Sequence, residues 1–234
     1  MIAGFDPSLT HLGWVLFDTN SNKAVEGGVF KTSPSDGLLI QRIITQREKV
    51  RLFIVENKID FIAMEAPYWG SYSTEILFAL NQHLHEIFLN LNIYVVYFQP
   101  LSIKSYAIPK MKSDEITKHH MTFQAKKELG KQGRRFSEHV ADAYFVGKLG
   151  LRYYQWLFEK KFTDDDLTPK EHDMFCGKHT FVKGVKKGLT EYTGIIYREN
   201  EQFFDYRRHS RNTKIITEEI TNGGIQALNS GRVF

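Results

Sequence analysis

The chain has 234 residues, 42% of them hydrophobic, with a formal net charge of +4. This content suffices for one well-filled domain of roughly 150 residues plus a smaller appendage, and it excludes general disorder. No window approaches the roughly 18 apolar residues that cross a bilayer, and the opening MIAGFD lacks the charged and apolar regions of a secretion signal. With Cys176 alone, no internal disulfide can form, so a protein of a reducing cytoplasm is expected and cross-linked extracellular scaffolds are excluded.

Ile2 to Phe5 leads into Asp6-Pro7-Ser8, and Trp14 to Phe17 follows Gly13, which predicts two buried strands joined by a tight turn. Ala24 to Thr32 predicts a third strand, closed by the turn formers Ser33 to Gly37. From Leu39 to Val55, Ile40, Ile43, Ile44, Val50, Phe53 and Ile54 recur at helical spacing. Asp60 to Glu65 is then a short apolar strand, and the helix before it makes it a parallel partner for the first strand. A second amphipathic helix over Thr74 to Leu91 precedes a strand from Ile93 to Phe98, completing a βαβαβ unit. Ser113 or Asp114 is placed to cap a helix through Glu128, and Ser137 to cap one from Glu138 to Tyr154. The acidic, turn-prone run Thr163 to Pro169 divides a core, residues 1–162, from an extension, residues 163–234. That extension mixes short β-prone runs with basic and aromatic residues such as Lys183, Lys186, Arg198, Phe203 and Tyr206.

Asp6 follows one apolar strand, Glu65 ends a second, and His139 and Asp142 lie three residues apart on one helix face. Carboxylates at the ends of adjacent parallel strands suit one or two divalent cations, because a buried acid is costly unless paired or bound to metal. Oxygen donors of this kind favour Mg²⁺, with Mn²⁺ as a substitute. Singly, Asp6 is equally well explained by an Asp-Pro-Ser turn, and His139 by an ordinary surface or core histidine. Only the joint placement points to chemistry. Between Gln99 and Arg135 a basic run that includes Lys104, Lys110, Lys112, Lys118, Lys126 and Lys127 either neutralises phosphates or solvates a helix face.

Gly4-Phe5-Asp6-Pro7-Ser8 with Gly13-Trp14, Met64-Glu65 at a strand end, and His139-Val140-Ala141-Asp142-Ala143 on a late helix resemble the RuvC family of Holliday-junction resolvases. The likeness spans roughly Met1 to Leu151. It implies an α/β, RNase H-like fold with a mixed five-stranded sheet flanked by helices. It also implies a symmetric homodimer and Mg²⁺-dependent two-metal hydrolysis that nicks opposed strands of a four-way junction, leaving 5′-phosphate and 3′-hydroxyl ends. The implied metal ligands are Asp6, Glu65 and Asp142, with His139 either ligating metal or assisting the attacking water. Lys104 and Lys112 best match the family's phosphate-contacting lysines, with Lys110 or Lys118 as replacements. Tyr68 matches the family's junction-core aromatic in position, and Trp69 beside it is a further candidate for stacking on unpaired bases. The helix over Thr74 to Leu91 is a candidate dimer contact, although a monomer core helix would look the same. The compact core and unusual tail suit a bacterial or bacteriophage source, hence the cytoplasm of a bacterial or phage-infected cell.

Two competing classes are weighed. Sugar kinases and actin-like ATPases carry an Asp and a Thr on a similar first hairpin, but no second glycine-rich phosphate hairpin is visible here. A junction-binding protein that does not cut would gain nothing from acids aimed at phosphates. His172, Cys176 and His179 are spaced unlike zinc-finger ligands, and no zinc site is expected.

Overall fold

The computed structural model describes residues 1–66, 74–130 and 136–175, together with the short strands His179–Thr180, Thr190–Glu191 and Ile196–Tyr197. Strands β1 (Ile2–Asp6), β2 (His11–Asp18) and β3 (Lys23–Lys31) form an antiparallel meander. After helix α1 (Leu39–Glu56), β4 (Phe61–Glu65) lies parallel to β1; after α2 (Thr74–Asn90), β5 (Tyr94–Phe98) lies parallel to β4. The order β3-β2-β1-β4-β5 is the mixed five-stranded sheet expected from the sequence. One strand is added: β8 (Ile196–Tyr197) pairs antiparallel with Val95 and Val96 of β5. The pair β6 (His179–Thr180) and β7 (Thr190–Glu191) makes a separate two-stranded ladder.

Strand alternation decides which face each side chain occupies. On β1 and β4, Ala3, Phe5, Ile62 and Met64 enter the apolar layer beneath α1 and α2, with Leu80, Leu84 and Phe88 of α2. Ile2, Phe61 and Ala63 enter the opposite layer, under α5 (Glu138–Leu157), with Ala143, Val146 and Leu149. Asp6 and Glu65 continue the second parity, so both carboxylates emerge on the α5 side at the strands' carboxyl ends.

Helix α5 comes unusually near the sheet. A Cβ on Gly4 would overlap the Ala143 carbonyl and the Gly147 backbone, and one on Gly13 would overlap the His139 carbonyl. Glycine inside a helix costs about 1 kcal/mol relative to alanine, and at Gly147 that cost permits backbone to approach backbone.

Three local expectations are corrected. Helix α4 spans Lys118–Leu129 and is capped by Thr117, whose Oγ1 accepts from the His120 N–H at 3.4 Å, so neither Ser113 nor Asp114 begins it. A short helix, α3 (Pro100–Ala107), occupies a stretch the periodicity leaves unassigned; proline at its first position and buried Ile103 and Ala107 define it. Helix α5 runs to Leu157, one turn beyond Tyr154. The acidic run holds a 3₁₀ turn (Asp164–Asp166) followed by α6 (Pro169–Phe175). Leu167, Met174 and Phe175 pack in the layer under α5, and Arg152 pairs with Glu171 at 3.1 Å. Among the described residues no helix is long and apolar enough to cross a membrane.

Gly4→Ala is expected to lower unfolding stability by on the order of 2–3 kcal/mol, because the added methyl meets backbone and not a movable side chain. Urea titration of the two proteins measures the difference.

Candidate active site

The turn that follows Asp6 is fastened from α1. Gln46, fully buried, donates through Nε2 to the carbonyls of Leu9 and Phe30 at 3.1 Å each and of Ser8 at 3.4 Å. The Thr32 hydroxyl also donates to the Leu9 carbonyl. The two amide protons are shared among three backbone acceptors, which resists displacement, since leaving such groups unpaired costs about 1–3 kcal/mol. Asp6 is thereby held at the end of β1.

From the other side, Ser137 caps α5 by accepting the Val140 N–H at 3.4 Å. His139 stands in the first turn and Asp142 three residues on, facing the same way. The His139 Nδ1 lies 3.6 Å from Asp6 Oδ2, and its Nε2 lies 3.8 Å from Glu138 Oε1. Its ring stacks on His11, at the start of β2, with centroids 5.2 Å apart and planes 2° from parallel. His11 escapes sequence reasoning because nothing local marks an exposed histidine at a strand end.

Burial, and then the negative charges of Asp6 and Asp142, push the Glu65 carboxyl up to about 8; the cations Lys104 and Lys118 oppose that rise. Burial, and then Asp6, push Asp142 up to about 7, against the pull of Lys118 and His139. Asp6, Glu65 and Asp142 are thus within electrostatic reach of one another at the carboxyl ends of β1 and β4 and the first turns of α5, with His139 beside Asp6. Among the described residues, no three His, Cys, Asp or Glu side chains already stand at metal-ligating spacing. The constellation is open, with hard oxygen donors whose mutual repulsion a divalent cation would relieve.

Lys104 is half-buried on α3, and Lys118 is the exposed first residue of α4. Lys118 also stands 3.9 Å from Glu138. Lys110 and Lys112 lie in the exposed segment between those helices, where Lys112 pairs with Glu115 at 3.5 Å. Tyr68 and Trp69 lie outside the described residues.

An order of β3-β2-β1-β4-β5 with acids at the carboxyl ends of β1 and β4 and on the crossing helix defines the RNase H-like class of α/β fold. Solved RuvC structures share this fold. A Thermus thermophilus RuvC structure matches with a TM-score of 0.52 at 19% identity, over 63% of this chain and 90% of that one. The T. thermophilus RuvC in complex with Holliday junction substrate matches with a TM-score of 0.53 at 20% identity, over 67% and 95%. No protein-family model matches the sequence, and no curated protein sequence matches it either.

The carboxyl shifts fix a pH dependence of stability. An acid held above its ordinary value is protonated more readily folded than unfolded, so it destabilises the folded state increasingly as pH rises from 4.5 to about 8. Without metal, thermal stability is therefore expected to fall across that window. Glu65→Gln should flatten the fall and be more stable than the parent by on the order of 1–3 kcal/mol above pH 8, with no gain below 4.5. Equal slopes for the two proteins in calorimetry would contradict the shared field.

Proposed function

We propose that the chain is a structure-specific endodeoxyribonuclease that resolves four-way junctions and related branched DNA by Mg²⁺-dependent hydrolysis. The observation that supports this is the mutual electrostatic influence of Asp6, Glu65 and Asp142, opposed by the nearby cations Lys104 and Lys118. Support comes from a fold shared with RuvC, one of whose structures is described as a complex with Holliday junction substrate.

Asp6, Glu65 and Asp142 would hold the cations, with His139 beside Asp6. Mg²⁺ held there would lower the barrier to water attack and offset charge at the leaving 3′ oxygen. Lys104 and Lys118 oppose the acids' repulsion of the phosphodiester and hold its oxygens. His139, next to Asp6 and stacked on His11, is placed either to ligate or to take the proton of the attacking water. The 5′-phosphate and 3′-hydroxyl ends follow from this direction of attack. Resolving two opposed strands gives a functional reason for a homodimer. Residues 163–234 we assign as an accessory extension to the nuclease core.

A junction-binding module without cutting is favoured by one observation, the absence of three donors already at ligating spacing among the described residues. A single experiment separates the two: purified protein with labelled four-way junction, fork, duplex and RNA–DNA hybrid, in Mg²⁺ or EDTA, with each cut mapped. Paired symmetric nicks confined to the junction and abolished by EDTA are expected. Asp6→Asn should lose cutting by more than about a hundredfold, at least 2.7 kcal/mol of barrier, while still binding the junction. Retained cutting by Asp6→Asn would remove the assignment.

A further inference from the structure

Helix α4 packs its inner side against α5, burying Met121 and Ala125. Its one acid, Glu128, is engaged inward, accepting from the Tyr144 hydroxyl at 2.9 Å and the Lys148 ammonium at 2.6 Å. Helical geometry puts Phe123 at the centre of the opposite side, with His119 one turn before it and Lys126 and Lys127 one turn after. All four are exposed, Phe123 to 65%. Among the described residues no ring or cation packs on Phe123, and no carboxylate pairs with His119, Lys126 or Lys127.

A solvated helix face accounts for the two lysines, because cations near a helix C-terminus interact favourably with its dipole. It does not account for the phenylalanine, which leaves most of its ring in water and favours the helix less than lysine or glutamine would. Single exposed apolar residues are ordinary. This one has Lys126 and Lys127 one turn on and His119 one turn back, has no free acid beside it, and sits on the helix that begins at Lys118, a cation felt by Glu65 and Asp142. Phe123 is about 7–8 Å farther along the axis than Lys118. An exposed ring beside cations is the makeup by which proteins hold unpaired nucleotides, the ring stacking on a base while the cations hold flanking phosphates.

We propose that this face of α4 is a second DNA contact, with Phe123 stacking on an unpaired base of the branched substrate and His119, Lys126 and Lys127 holding the adjacent phosphates. The assignment rests on the nuclease reading and differs in place: the cleft takes the scissile phosphate, and α4 takes a nucleotide beyond it.

The test uses the full chain carrying Asp6→Asn, so that DNA stays intact, with labelled four-way junction, single strand and blunt duplex in EDTA over a range of salt. Phe123→Ala should weaken junction and single-strand binding roughly tenfold, with duplex binding and the salt slope unchanged, and Phe123→Trp should restore it. Lys126→Gln with Lys127→Gln should weaken all three DNAs and lower the salt slope by about one to two. The proposal is overturned if Phe123→Ala binds every DNA within twofold of the parent. It is equally overturned if that variant loses self-association while DNA affinity is kept, which would make the face a protein contact. A parent that binds no DNA at all would sink the nuclease reading itself, whereas a parent that cuts junctions beside an unaffected Phe123→Ala removes only the α4 contact.

Discussion

Everything at the cleft depends on how near α5 lies to the central strands. Gly4 and Gly147 remove the side chains that would keep helix and sheet apart, and Gly13, opposite Asp6 in the β1–β2 register, does the same under His139. The result is contact between main chains, which leaves little freedom for the helix to slide or roll. His139 and Asp142 are consequently set over the ends of β1 and β4 by backbone packing and not by any attraction among the acids. Indeed burial, and then the charge of the neighbouring acids, displaces the Glu65 and Asp142 carboxyls upward.

That opposition between packing and charge gives the cleft its character. Packing buries the Glu65 and Asp142 carboxyls beside Asp6, where burial and neighbouring charge both disfavour their ionised forms. Lys104 and Lys118 offset part of the rise at Glu65. Charges of both signs therefore meet within one small region at the carboxyl ends of β1 and β4.

Much of this was legible in the sequence because its signals are local. Alternation along Ile2 to Asp6 and Phe61 to Glu65 predicts both the strands and the shared face of the two acids, and the three-residue step from His139 to Asp142 predicts theirs. The less legible parts depend on contacts distant along the chain. The start of α4 was ambiguous because Ser113, Asp114 and Thr117 are all cap-forming residues, and only packing of Met121 and Ala125 selects Thr117. Without that boundary, Lys110, Lys112 and Lys118 could not be ranked by nearness to the acids. Helix α3 is too short for its periodicity to stand out, and the stacking of His11 on His139 joins residues 128 positions apart, 139 minus 11.

The pairing of Ile196–Tyr197 with β5 bears on the order in which the molecule can be completed. A sheet ending at β5 presents a row of unsatisfied amides and carbonyls, open to any extended peptide that comes by. Here the covering strand lies about a hundred residues downstream of the one it shields. During synthesis that flank therefore stays bare until the distal part of the polypeptide has left the ribosome, and through that interval the nascent protein is most exposed to mispairing with its neighbours.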